Sequence, residues 1–501
     1  MLGIKDFDLS EYKPTPVIYE LRQSILQKLK ENREVLPDID GREETKRDVI
    51  RAILSGANPY LVSEEGTGKT RLAKSLTKLL SPVPVIKGCP YHDDPKWEKD
   101  WLCPRCAELE NPAEEFGIDF ISGKDRFSRI QGNEYTNYAK ILGVKDIQVI
   151  REGKSPTDPR AFTGTGVFHG NRGILFVADL PSIPTNVQVL FHPILEERKV
   201  ILEEYNIERP IDFLLIATGN PEGFSHVNKI PRPLLDRLEL IHMNLPEKDV
   251  GMKVMLKGKS EFKLNGQKTK ESSKKEIFRP DYSLLERNVA APWWIVDLVG
   301  KSVRETRVSV NLDKGASIRG IYKAIDHTYA TAEMDGRRVT TLKDACDGMK
   351  LALRGRIKIR ADLIGFGESP KESFERSDKI VEGTVRYITG RIGDQIEMSG
   401  EVGKEINTLL LEGSVKNFSA YHNLNKMVGW LCELDSNRAK NEVINEAEKA
   451  LFYHPDKVDE AVLAGYLYSA IEMIVSIGVH KGLVDEDIAK TCVFVPERFV
   501  K

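Results

Sequence analysis

Cysteine is scarce in this chain, with six among 501 residues. So few thiols exclude a small secreted scaffold held by disulfides. Residues 1–16 carry acids early and no apolar core, so a secretory signal is not expected. An excess of one charge is missing too. Lys plus Arg number 74 and Asp plus Glu 76, a formal charge of -2. A chain built mainly to grip nucleic-acid backbone carries a basic surplus, so no nucleic-acid partner is expected. Long apolar runs are absent but for 461–479. That run is rich in small residues and interrupted by Glu472. It reads as a buried bundle helix, not as a membrane span. What is present is ordinary: 41% hydrophobic and 30% charged residues, a balance that argues against wholesale disorder. At about 150 residues per domain, the length suggests roughly three domains in a cytoplasmic protein.

No repeat of fixed period is found. Apolar spacing predicts helices over 17–29, 43–54 and 70–80, with a short apolar run at Tyr60–Val62 and another at Val83–Ile86. Ile174–Ala178 and Phe213–Ala217 are continuous apolar runs that suit strands buried on both faces of a parallel sheet. A helix is expected over 187–197, kinked at Pro193. Alternating strands and helices point to an α/β core over 35–250, after a helical lead-in at 1–34. A Lys-rich segment at 251–284 reads as a solvated linker. Helical patterns follow, with Ile318, Ile321, Ile325 and Ala332 on one helix and 342–353 forming another. Residues 366–501 are expected to form a further helical domain of unassigned role.

Ser63-Glu64-Glu65-Gly66-Thr67-Gly68-Lys69-Thr70 lies between a short strand and a helix. It matches the phosphate-binding pattern G-x-x-x-x-G-K-[ST] except for Ser63. Gly66 and Gly68 let the backbone curl so that its N–H groups face phosphate oxygens. The helix that follows adds its positive dipole end. Lys69 can set its ammonium between the β- and γ-phosphates, and the Thr70 hydroxyl can ligate Mg²⁺. ATP and Mg²⁺ are therefore the expected ligands.

A hydrolysing site also needs an acid at the end of a second buried strand, and Asp179 after Ala178 supplies one. Asn220 offers a polar group at the end of the next strand. Arg232 and Arg237 offer cations for a neighbouring site. This ordered set resembles the AAA+ ATPases of the magnesium chelatase I-subunit family, with MoxR-type ATPases as the wider circle. The resemblance spans about 35–355 and is carried by SEEGTGKT (63–70), KGCPYHDDP (87–95), RIQG (129–132), GNRGILFVADLP (170–181), ATGNPEG (217–223), RPLLDRL (232–238) and SIRGIYKA (317–324).

The resemblance implies a P-loop AAA+ parallel-sheet core, a helical lid at 285–365 and the additional C-terminal helices. It implies that Lys69 and Thr70 bind Mg-ATP and that Asn220 is the first sensor. Arg237 would be the arginine finger, with Arg232 as the second candidate, and Arg319 the second sensor on the lid. A finger acting on the next protomer's nucleotide implies a ring, a hexamer. The family ends its second strand in Asp-Glu, whereas this chain has Ala178-Asp179. The metal-side acid is thus replaced, and the water-side acid is one methylene shorter.

Cys89-x₂-His92 and Cys103-x₂-Cys106 form two close ligand pairs, a spacing that suits a structural Zn²⁺ within an insertion at 87–110. Relatives often carry C-P-Y-N-C-D-P followed by C-P-x-C here. This chain keeps Cys89, Cys103 and Cys106 and has Asp93 where that pattern has Cys, so His92 or Asp93 would be the fourth ligand. Cys346, Cys432 and Cys492 read as small buried hydrophobes.

Three functions follow. One is an ATP-driven ring subunit that powers metal insertion into a tetrapyrrole held by partner subunits, with a second AAA+ or von Willebrand-type subunit beside it. Another is a MoxR-like chaperone that remodels a protein substrate. The third is a nucleotide sensor with little or no hydrolysis, which Ala178 favours.

Overall fold

Among the described residues five strands share one sheet, and all are parallel. They are β1 (Asn58–Val62), β2 (Phe127–Gln131), β3 (Gly173–Ala178), β4 (Phe213–Gly219) and β5 (Leu238–His242), in spatial order β5-β1-β4-β3-β2. The computed structural model describes residues 8–64, 66–205, 207–220, 228–243, 277–365, 369–412, 422–439 and 460–485. It divides into two compact units, residues 1–286 and 287–501. The Lys-rich run 253–275 and Cys492 lie outside the described residues.

In the first unit every residue of β1, β3 and β4 is buried, as their continuous apolar sequences demand. The two outer strands were not foreseen. Phe127-Ser-Arg-Ile-Gln alternates exposed and buried residues, and Leu238-Glu-Leu-Ile-His is only partly covered. Edge strands need not be apolar throughout. Val83–Ile86 is a strand, but outside this sheet: it pairs antiparallel with Ile118–Ile121. The expected kinked helix at 187–197 is instead two short helices, Thr185–Gln188 and Phe191–Glu197. Pro193 lies in the first turn of the second, where its missing N–H breaks no helical bond.

Helix α1 (Val17–Lys30) starts where the Val17 N–H donates to the Asp212 carboxylate at 2.8 Å. Helix α2 (Glu43–Leu54) buries Val49, Ile50, Ile53 and Leu54, and α3 (Lys69–Leu76) leads out of the 63–68 loop.

The second unit is helical: α4 (Trp293–Glu305), α5 (Ile318–Met334), α6 (Leu342–Leu353), α7 (Pro370–Gly393), α8 (Gly400–Glu412), α9 (His422–Ala439) and α10 (Glu460–His480). One apolar core draws on all seven, including Trp294, Ala324, Met349, Ile388, Ile406, Leu424 and Ile474. The described residues of the stretches 285–365 and 366–501 thus share a core. No helix among the described residues is long and apolar enough to cross a membrane.

Glu472, the charge inside the apolar run, explains itself on α10. Its carboxylate accepts the Leu342 N–H at 2.6 Å and so caps the start of α6. Burial, and then the nearby Asp344, push this carboxyl up to about 7. An acid whose pKa rises on folding loses stability as pH climbs from its unfolded value toward the folded one. The cost is on the order of 3 kcal/mol above neutrality. Glu472→Gln is expected to raise the melting temperature at pH 8 and to change it little at pH 5. Thermal denaturation at the two pH values checks this, and an equal shift at both would contradict it.

Candidate functional site

The site forms where β1, β4 and β3 end side by side. Val62 is in register with Gly219, and Val177 with Ala217, so the residues that follow these strands emerge on one edge. Ligands of open parallel sheets bind outside the carboxyl ends of the strands.

Residues 63–68 turn from β1 into α3. Gly66 and Gly68 have φ of 75° and 90°, a region that side chains disfavour. Ser63 is not among the residues with positive φ, so glycine is not required at its position. The serine adds a brace. Its hydroxyl lies 2.6 Å from that of Thr67, and the Thr67 hydroxyl donates to the Glu64 carbonyl at 3.1 Å. Glu64 is exposed, Glu65 lies outside the described residues, and Thr70 is half-buried in the first turn of α3.

Lys69 and Asn220 come together. The Lys69 ammonium donates to the carbonyls of Ser63 at 2.6 Å and Glu64 at 3.1 Å and to Asn220 Oδ1 at 3.1 Å. The lysine thus crosses the loop and reaches the end of β4.

Asp179 follows β3 in the left-handed region, with φ 56°. Its N–H donates to Thr218 Oγ1 at 3.0 Å, and its carboxylate accepts the Ser182 hydroxyl at 2.5 Å. Gly132, the last residue of RIQG, fits beneath it. The Gly132 N–H donates to the Ala178 carbonyl at 2.7 Å. A Cβ at Gly132 would lie 2.2 Å from the Asp179 carbonyl oxygen, so only glycine allows this approach. Ala178, buried as the last residue of β3, presents no acid.

The arginines are arranged unequally. Arg237 is mostly buried and pairs through Nε with Glu196 at 2.7 Å. Arg232, at the start of the short helix Arg232–Leu235, is exposed. Arg319 is the second residue of α5, in the second unit, and is half-exposed.

Arg42 escapes sequence reasoning. It precedes α2 with φ 60°, and its Nη1 lies 3.5 Å from where a Cβ on Gly68 would be. Its Nε is buried and has no hydrogen-bond partner among the described residues. Burial lowers its pKa. The only hint in the sequence is a cation at a helix entrance after Gly41, whose nearness to the loop depends on tertiary packing.

The cysteine-rich segment forms a second cluster. Cys89, Asp93, Cys103 and Cys106 are buried, and their ligand atoms lie within 4.8 Å of one another. His92 is not among them: its Nδ1 is 3.3 Å from the Asn171 carbonyl oxygen. Burial, then the Cys103 thiol, push the Asp93 carboxyl up to about 7. The Cys103 and Cys106 thiols hold Cys89 below the usual thiol range.

The chain is similar to several known proteins. The AAA domain (dynein-related subfamily) matches residues 119–238. The magnesium-chelatase subunit ChlI of Euglena gracilis is 25% identical over 365 residues, which cover 70% of this chain and 99% of the relative. The ChlI homolog of Methanocaldococcus jannaschii is 24% identical over 64% of this chain and 84% of its own length. Among solved structures, one of a putative ATPase from Cytophaga hutchinsonii aligns with 72% of this chain and 96% of its own, at 16% identity and a TM-score of 0.49. With the loop between strand and helix and the five-stranded parallel sheet, the family-model and sequence matches lead to one conclusion: the chain has an α/β P-loop fold with a region similar to the AAA domain, and it resembles the magnesium-chelatase I-subunit family.

Proposed function

We propose that residues 63–70 bind the phosphates of Mg-ATP and that the chain acts as one protomer of a hexameric ring. The observation that carries this reading is the Lys69 ammonium bridging the loop carbonyls to Asn220 at the carboxyl edge of the sheet. When ATP arrives, Lys69 exchanges carbonyl partners for phosphate oxygens, and the loop N–H groups surround the β-phosphate. The half-buried Thr70 hydroxyl, in the first turn of α3, suits Mg²⁺. When bound, that ion neutralises phosphate charge. Asp179 orients the attacking water, Asn220 senses the γ-phosphate, and Arg42 adds a cation beside Gly68. Arg237 or the more exposed Arg232 reaches the neighbouring protomer's nucleotide, and Arg319 acts as second sensor.

In this proposal the ring drives partner subunits that insert a metal into a tetrapyrrole, in the cytoplasm, where thiols stay reduced. A von Willebrand-type subunit is the expected partner, and a MoxR-like remodelling of a protein substrate uses the same site. A second reading, a sensor that binds ATP with little turnover, is favoured by Ala178 and by the Ser182 hydroxyl on the Asp179 carboxylate. Equilibrium binding and phosphate release, measured on the full chain with and without candidate partners, decide between them. Turnover supports the motor, binding without turnover supports the sensor, and absence of binding overturns both.

A further inference from the structure

The segment 86–106 gathers a closed ligand set away from the phosphate loop. The Cys89 N–H donates to the Ile86 carbonyl and the Ile86 N–H to the Asp93 carbonyl, both at 3.0 Å, so the chain doubles back between Cys89 and Asp93. In the second pair the Cys106 N–H donates to Cys103 Sγ at 3.4 Å, and the Ala107 N–H to the Cys103 carbonyl at 2.8 Å. These bonds wrap the backbone around the Cys103 sulfur.

We propose that Cys89, Asp93, Cys103 and Cys106 bind one structural Zn²⁺ ion. The spacing fits. Two sulfurs on a tetrahedral zinc with bonds of about 2.3 Å lie about 3.8 Å apart. Cys89 Sγ and Cys103 Sγ are 3.8 Å apart. A disulfide would need them at about 2.05 Å. Relative exposure is 7% for Cys89, 1% for Cys106 and 0% for both Cys103 and Asp93. Three thiols and a carboxyl that converge within 4.8 Å offer a divalent cation four ligands of the kinds zinc takes. Such closure leaves no open coordination position, so the ion is structural and not catalytic.

The surroundings also suit a metal centre. The Asp93 carboxylate accepts the Cys103 N–H at 2.5 Å through Oδ2, and Arg209 Nη2 lies 3.3 Å from Oδ1. These contacts orient the carboxylate and offset the excess negative charge of three thiolates. The fourth ligand is Asp93 and not His92, whose ring turns to Asn171 with the residue at φ 58°. Binding needs three thiolates and a carboxylate, so whatever protons the four ligands carry leave to solvent, and no oxidation state changes.

The cluster reaches the nucleotide-side sheet through its neighbour. Asp94 pairs with Arg172 at 2.6 Å, and Arg172 directly precedes β3, the strand that ends before Asp179. The ion therefore pins the 87–110 insertion against the start of that strand.

Full-length protein purified without chelator is expected to contain about one zinc per chain by elemental mass spectrometry. Cobalt(II) substitution should give thiolate charge-transfer and tetrahedral ligand-field bands. Asp93→Ala and Cys103→Ser should lose the ion at least tenfold more readily to a chelator, and His92→Ala should retain it. If the Ser variant does not fold, Asp93→Cys on cobalt-loaded protein provides the reading, through stronger charge-transfer absorption. A folded, metal-free chain that takes up no zinc, or a Cys89–Cys103 disulfide found under non-reducing conditions, would overturn the proposal. So would loss of the ion from His92→Ala with retention in Asp93→Ala. Metal content is read independently of nucleotide binding, so the two proposals fail separately.

Discussion

Lys69→Ala is expected to lower the affinity for Mg-ATP by two orders of magnitude or more. The ammonium touches both the Ser63–Glu64 turn and Asn220. Charge-assisted hydrogen bonds to phosphate contribute about 1.5–3 kcal/mol each, and two of them amount to about 10² to 10⁴ in affinity. The side chain is half-exposed, so the truncated protein should still fold, with its ellipticity and melting temperature close to the parent's. Calorimetric titration with a non-hydrolysable ATP analogue measures the effect. Unchanged affinity would move the phosphate site elsewhere and remove the functional reading of the whole 63–70 loop. A Lys69→Arg variant sharpens the test. It keeps the charge, but its broad planar head replaces a compact ammonium, and partial retention would separate charge from fit.

The turn of the 63–68 loop could be read from sequence because it constrains the backbone. Gly66 and Gly68 occupy conformations that few other residues tolerate, and the pattern records that need. The central strands were legible for a related reason. Burial on both faces requires apolar residues at every position, as in Ile174–Ala178 and Phe213–Ala217. The edge strands β2 and β5 bury less, and their mixed sequences carry no comparable signature. Helices α2 and α6 matched their expected limits, α6 because Thr341 and Asp344 form a capping box. Arg42 and the choice between His92 and Asp93 were beyond reach. Spacing places two candidate ligands side by side in the chain, but the backbone turn at His92 decides which one faces the thiols.

Glu20→Ala is expected to destabilise the first unit by about 3–5 kcal/mol, because it leaves a buried guanidinium without its counter-ion. The side chains of Glu20 on α1 and Arg126 just before β2 are both 1% exposed. Arg126 donates to both Glu20 oxygens, at 3.1 and 2.7 Å, and to the carbonyls of Ser81 at 2.7 Å and Arg172 at 2.6 Å. Glu20 also accepts the Ser81 N–H at 2.5 Å. Each polar atom of this pair thus joins α1, the connection after α3, or the start of β3. The Arg126 carbonyl accepts the Ile174 N–H at 2.8 Å, so the same residue sets the β2–β3 register. At the far end of those strands that register brings Gly132 under Asp179. Urea or thermal unfolding should therefore show a large loss for the single variant, together with weaker nucleotide binding. The double variant Glu20→Met with Arg126→Met removes both charges at once and should recover most of the stability, because apolar replacement of a whole buried pair is often neutral. A loss below about 1 kcal/mol for Glu20→Ala is the range of exposed pairs. It would mean that water reaches the guanidinium and that the sheet register is held by the strands alone.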